Sequence, residues 1–200
     1  MRVLDFFREQ TPPRTFISII EELTQLADDW SDKIRKADPG TSRALVCYEL
    51  FQTQTQLHDL SNSRCSSGCS ACCSWKVDVT EDEAEILAEA VRTGSVKIDL
   101  DHLNSVSQYS DDSRVWKTPS HTTRCVFLGE DRSCQVYEMR PLSCRKCLVD
   151  SDPRNCSDPA QDKINPILVP ELELLISLAW SLSSGRVNTL PLMLKERLDP

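Results

Sequence analysis

The chain has little of what several large protein classes require. Only five of its 200 residues are glycine, and no dinucleotide-type or methyl-donor-binding glycine motif occurs among them. The three histidines, His58, His102 and His121, are scattered, so no Cys-His-Asp arrangement for nucleophilic catalysis can be assembled from their order. No long run of Lys or Arg is present and the formal net charge is -8. This argues against a nucleic-acid surface, because phosphate binding draws on clustered cations. Long apolar runs are missing too. The longest, from Ile176 to Leu182, contains serines and is too short to cross a bilayer. The first ten residues interrupt their apolar side chains with charge and lack the apolar core of a secretory signal. The expectation is an acidic, cytoplasmic protein with no membrane span. Hydrophobic residues at 40% and charged residues at 27% describe an ordinary folded chain, long enough to bury a core and most simply one domain.

Against these shortages stand ten cysteines. A reducing compartment keeps disulfides from persisting and leaves thiolates free to bind metal, whereas a disulfide framework would need export. Four of the ten are packed into Cys65-Ser-Ser-Gly-Cys69-Ser-Ala-Cys72-Cys73. Cys125, Cys134, Cys144 and Cys147 form a second group, with Cys156 beyond. Thiols gathered at such spacings suit a soft metal ion or an iron-sulfur cluster. The small residues between them let backbone approach a metal, and loop N–H groups can hydrogen-bond to sulfur. Neighbouring side chains diverge, so Cys72 and Cys73 need not share one metal atom. Cys47 stands alone among Leu, Val and Tyr and reads as a small buried hydrophobe. His58 reads as a solvated helix-end residue or as one that reaches the cysteine loop. His121 reads as a solvated loop residue or as a fourth ligand beside Cys125.

The rest of the chain reads as helical scaffold. Phe16, Ile19, Ile20, Leu23, Leu26, Ala27, Trp30 and Ile34 recur at helical spacing, and Asp38-Pro39-Gly40 ends that helix. A second helix is expected over 42–59, antiparallel to the first. Thr80-Glu-Asp-Glu83 is a capping-box pattern that opens a helix running through Ala90 and stopping at Thr93-Gly94. Residues 98–109 are moderately helical, and Ser110-Asp-Asp-Ser and Lys117-Thr-Pro-Ser read as surface loop. Val126-Phe-Leu and Gln135-Val-Tyr137 flank Gly129-Glu-Asp-Arg, the pattern of two short strands joined by a turn. A helix from Pro170 to Ser183, with Leu172, Leu175, Ile176, Ala179 and Trp180 as its buried stripe, and a last helix from Pro191 to Leu198 complete the chain. The fold class expected is mainly α with a small β-hairpin, a helical scaffold around a cysteine-rich metal-binding core. Its parts are a helical pair at 1–60, the core at 61–160, and C-terminal helices at 161–200 packing on it.

The CxxxCxxCC loop, followed by C-x-F-L, C-x-x-Y and R-P-x-x-C-R, resembles the bacterial CxxCxxCC family of zinc- or iron-chelating proteins, often called YkgJ-like. The likeness covers roughly Cys65 to Arg145. It implies that Cys65, Cys69, Cys72, Cys73, Cys125, Cys134 and Cys144 belong to a metal centre, framed by Tyr137, Arg140, Pro141 and Arg145. A flagellin lysine methylase carries a related motif with an iron-sulfur cluster. Cys147 makes a CxxC with Cys144 that the family pattern does not require. It is an extra ligand or half of a redox pair whose thiolate the adjacent cations favour. Cys156 is an extra ligand or a free surface thiol. More than four thiols exceed what one tetrahedral zinc uses. The preferred expectation is an iron-sulfur protein with a redox or cluster-assisted role. The alternative is a structural zinc-binding module that binds a partner without catalysis, a thiol enzyme is a third class, and the cofactor expected is an iron-sulfur cluster or else a zinc or iron ion. The partner is an unknown protein or redox partner.

Overall fold

Amphipathic spacing and clear stop signals set the first two helices. Helix α1 runs from Pro13 to Lys36 with proline in its first turn, where a missing N–H costs nothing, and with Lys33, Arg35 and Lys36 against the negative end of its dipole. It buries Leu23, Trp30 and Ile34, whereas Phe16, Ile19 and Ile20 nearer its start stay half-buried. Gly40, at φ +89°, makes the turn into α2 (Thr41–Gln56), which buries Ala44, Cys47, Tyr48 and Phe51. These helices belong to a computed structural model that describes residues 8, 9, 11–109, 112, 114–117, 120–157, 163–183 and 185–199. After β1 (Asp78–Thr80), Thr80 caps α3 (Glu81–Arg92): its hydroxyl accepts from Glu83 N, and the Glu83 carboxylate accepts from Thr80 N. The Asp99 carboxylate caps α4 (Leu100–Ser107). A single-turn helix, α5 (Leu142–Arg145), follows Pro141, and α6 (Pro170–Leu182), β2 (Val187–Thr189) and α7 (Leu190–Leu198) close the chain.

The fold is mainly α. Helix α1 packs on α6 and α2, α2 packs on α3 and α6, and α3 and α4 both pack on α7. Phe127, Ile34, Leu87, Leu103, Leu142, Leu175, Met193 and Leu194 are fully enclosed. Each such side chain contributes roughly 1.5–3 kcal/mol by leaving water, more than any one of the exposed ion pairs at about 0–1 kcal/mol. Strands β1 and β2 pair antiparallel, Asp78 opposite Thr189 and Thr80 opposite Val187, and so tie the start of the cysteine-rich middle to the C-terminal helices. Among the described residues, no helix is long and apolar enough to cross a membrane.

Two local expectations come out differently. The stretch 126–137 closes with a single antiparallel bridge, Leu128 to Cys134, supported by Gln135 N donating to Phe127 O (2.9 Å) and Gly129 N to Ser133 O (2.9 Å). Pairing stops there because Tyr137–Met139 winds into a 3-10 turn, leaving the fold's antiparallel pair to β1 and β2. Trp180 is 38% exposed, lying off the stripe formed by Leu172, Leu175, Ile176 and Ala179. Within the expected surface loop, residues 110, 111, 113, 118 and 119 lie outside those described. Val115–Lys117 forms a 3-10 turn that buries Trp116, whose indole N–H donates to Tyr109 O at 2.9 Å.

Candidate metal centre

The cysteine loop is a succession of tight turns. Cys69 N donates to Ser66 O (3.1 Å), Cys73 N to Ser70 O (3.0 Å) and Trp75 N to Cys72 O (3.1 Å). No residue from Ser61 to Asp78 is buried, so hydrophobic packing does not set the loop's shape. Hydrogen bonds to the second cysteine group do so instead. Arg64 N donates to Val149 O (2.8 Å), Cys125 N to Cys73 O (2.7 Å) and the Trp75 indole N–H to Cys156 O (2.5 Å). The Cys65 thiol lies 3.5 Å from Cys147 O, and the Cys147 thiol 3.3 Å from Ser143 O. Arg132, in the left-handed region at φ 65°, reaches from the 129–133 turn to Ser70 Oγ (3.0 Å).

The thiols sense one another. A hydrogen bond with Cys73 and then burial hold the Cys72 thiol far above its ordinary range. Burial pushes Cys125 to about 11, with Cys134 and Cys72 adding to it. Burial likewise takes Cys147 to about 11, with Cys72, Cys65 and Cys156 contributing. Cys144 is raised by burial and then by Cys125, Cys147, Cys72 and Cys134. Burial leads again at Cys134, where Cys72 adds, and at Cys156, where Cys72, Cys65 and Cys69 add. Arg140 opposes the rise at Cys72 and Cys134, Arg124 at Cys125 and Lys146 at Cys147. These cations do not cancel the effect, so ionising the whole group calls for further positive charge.

The framing residues divide their work. The Arg140 guanidinium sits 3.7 Å over the Tyr137 ring and donates to Tyr137 O at 3.1 Å. Arg145 turns away from the thiols. Its guanidinium lies 4.6 Å from the centre of the Tyr48 ring, donates to Arg140 O (2.7 Å) and Glu138 O, and is held below its ordinary range by burial. Tyr48 Oη in turn donates to Met139 O at 3.3 Å. Arg145 therefore fixes the backbone of 138–140.

The remaining candidates separate cleanly. Cys47 is buried in the helical core, where burial and the charges of Glu83 and Asp82 push its thiol to about 12. His58 lies by Gln54 (3.3 Å) and Glu171 (3.5 Å) on the α2–α6 side. The His102 ring sits 2.7 Å from Arg124 O, one residue before Cys125. His121 begins a 3-10 turn, and its side chain lies outside what is described. Sequence reasoning passed over Tyr48, Trp75, Arg132 and Glu83. Glu83 is 2% exposed, and its Oε1 accepts from Leu142 N at 2.7 Å.

Among the described residues, no three His, Cys, Asp or Glu side chains already stand close enough to grip one ion. The donor set is nevertheless all sulfur, gathered from two segments and short of positive charge, which is the chemistry that suits zinc or iron. No curated protein and no solved structure matches the chain. The sequence model of the CxxCxxCC family, described as a zinc- or iron-chelating domain, matches residues 64–161, a span that takes in every cysteine but Cys47. That segment belongs to the CxxCxxCC family.

Proposed function

We propose that the chain holds an iron-sulfur cluster through thiolates drawn from Cys65, Cys69, Cys72, Cys73, Cys125, Cys134 and Cys144, and works as a redox protein with a protein partner. The observation that carries this reading is how the cysteine groups are tied to one another: Cys125 N donates to Cys73 O (2.7 Å), the Cys65 thiol lies 3.5 Å from Cys147 O, and the Trp75 indole N–H donates to Cys156 O, so the fold draws together segments that carry more cysteines than one tetrahedral zinc takes. A cysteine-held cluster supplies one-electron transfer at a potential set by its charge, solvent exposure and hydrogen bonds to sulfur. Arg140 supplies positive charge beside Cys72 and Cys134, and Cys147 and Cys156 stand by as extra donors. A reducing compartment such as the cytoplasm is where ten free thiols persist.

The test is purification without oxygen, followed by elemental analysis, sulfide assay and a visible spectrum. Iron with acid-labile sulfide and visible colour is the expected result. About one zinc per chain and no colour would replace the cluster with a structural zinc module. A chain without metal would overturn both. Cys69→Ser and Cys134→Ser lower the metal content sharply, whereas Cys47→Ser leaves it unchanged; equal content in all three contradicts the ligand assignment.

A further inference from the structure

We propose that Glu83 is a positioning residue for the metal centre: its carboxylate, fixed at the start of α3, seats the Pro141–Cys144 turn and thereby places Cys144 next to Ser143, whose carbonyl lies 3.3 Å from the Cys147 thiol. The inference rests on the metal-binding reading above.

A capping-box glutamate needs one acceptor oxygen for the backbone N–H it caps, and helix ends usually leave the other to water. Here both are used inside the protein. Oε2 accepts from Thr80 N (3.0 Å) and Thr80 Oγ1 (3.2 Å), while Oε1 accepts from Leu142 N (2.7 Å), 59 residues along the chain. Glu83 is 2% exposed and Leu142 fully buried, so no solvent competes for that bond. Leu142 N is the first amide of α5, two residues before Cys144. Cys144 N and Arg145 N both donate back to Pro141 O (2.9 and 3.0 Å), which makes 141–145 one rigid turn. A second tether acts in the same place, because Ser143 Oγ donates to Asp78 O at 2.8 Å. The turn that carries Cys144 is thus hung from β1 and α3, and Glu83 reaches it with a carboxyl oxygen at 2.7 Å. A bond of that length, out of reach of water, fixes position.

Glu83→Gln is the direct test. An amide offers one acceptor where the carboxylate offered two, so either Thr80 N or Leu142 N faces an N–H₂ group. Glu83→Asp is the milder companion: it keeps the charge but shortens the reach to Leu142 by one methylene. Thr80→Ala is the control, since it removes the hydroxyl of the cap and leaves both backbone bonds of Glu83 intact. Each protein is titrated with cobalt(II), and the sulfur-to-cobalt absorption reports both affinity and the number of thiolates bound. Glu83→Gln and Glu83→Asp are expected to weaken affinity about 10- to 100-fold, the usual effect of losing a partner behind a ligand. They should also lose the absorption of one thiolate. Thr80→Ala is expected to lower thermal stability while keeping affinity and band intensity near the parent's. Equal cobalt behaviour in the Glu83 variants and Thr80→Ala would reduce Glu83 to a helix cap and overturn the inference, with metal binding by the parent left standing. A parent chain that gives no sulfur-to-cobalt band overturns the metal-binding reading itself, and the role of Glu83 with it.

Discussion

Surroundings, more than spacing, separate a structural thiol from one built for metal. Cys47 has apolar neighbours on α2 and the negative charges of Glu83 and Asp82 nearby, which together push its thiol to about 12. The sign is that of an acid whose charged form is disfavoured: the thiolate appears only as pH rises toward 12, so at pH 8 roughly one molecule in ten thousand carries it. Iodoacetamide at pH 8 should therefore leave Cys47 unmodified in the native protein and label it once denaturant is added, as peptide mapping by mass spectrometry would show. Native labelling of Cys47 as fast as its labelling in denaturant would contradict its burial. This residue was readable from sequence, because a lone cysteine among Leu, Val and Tyr has no second thiol to meet. Arg140 and Arg145 were not separable that way. Both are cations beside cysteines in the chain, yet one faces the thiols and the other is held by the Tyr48 ring and two carbonyls, partners contributed in part by a helix some 90 residues earlier.

The first turn of α3 joins three distant parts of the protein. Its three consecutive acids suit the positive end of the helix dipole, and each reaches a different neighbour. Glu81 pairs with Arg197 of α7 at 2.9 Å. Asp82 accepts from Gly40 N at 2.6 Å and lies 3.7 Å from Arg43, binding the α1–α2 turn. Glu83 holds α5. Burial decides their ranking. Asp82 and Arg43 are both buried, so Asp82→Ala leaves the buried guanidinium with two carbonyl acceptors, Leu182 O and Ala37 O, but no counter-charge, and is expected to cost about 3 kcal/mol. The Glu81–Arg197 pair is partly solvated, and Glu81→Ala is expected to cost at most about 1 kcal/mol. Urea unfolding of the two variants measures the difference, and equal costs would refute the ranking. The helix start itself was legible, since Thr80-Glu-Asp-Glu83 dictates a cap from local chemistry alone. Its three partners were hidden because they arrive from residues 40, 142 and 197, separations at which a capping pattern carries no information.

Across the whole molecule, packing and candidate chemistry occupy different residues. The helical periodicities were strong enough in sequence to give the scaffold, because burying one face of a helix repeats a signal over three or four turns. The pairing of β1 with β2 gave no such signal: three-residue strands separated by most of the chain show too little alternation to be recognised. The same division predicts how the protein responds to losing its metal. The fully enclosed side chains come mainly from α1, α3, α4, α6 and α7, and of the nine cysteines of the metal-chelating segment only Cys125 and Cys134 pack against that core. The 61–78 stretch has no buried residue and rests on a handful of hydrogen bonds to Cys125, Val149 and Cys156. A ligand that binds only the ordered form stabilises the parts it orders. Chelator treatment should therefore speed amide hydrogen exchange over 64–75 and 125–157, while α3, α6 and α7 stay protected as a separate cooperative unit. Exchange measured by mass spectrometry with and without chelator distinguishes the cases. Loss of protection throughout the chain would mean that the metal holds up the helical core as well, and that scaffold and centre fold as one.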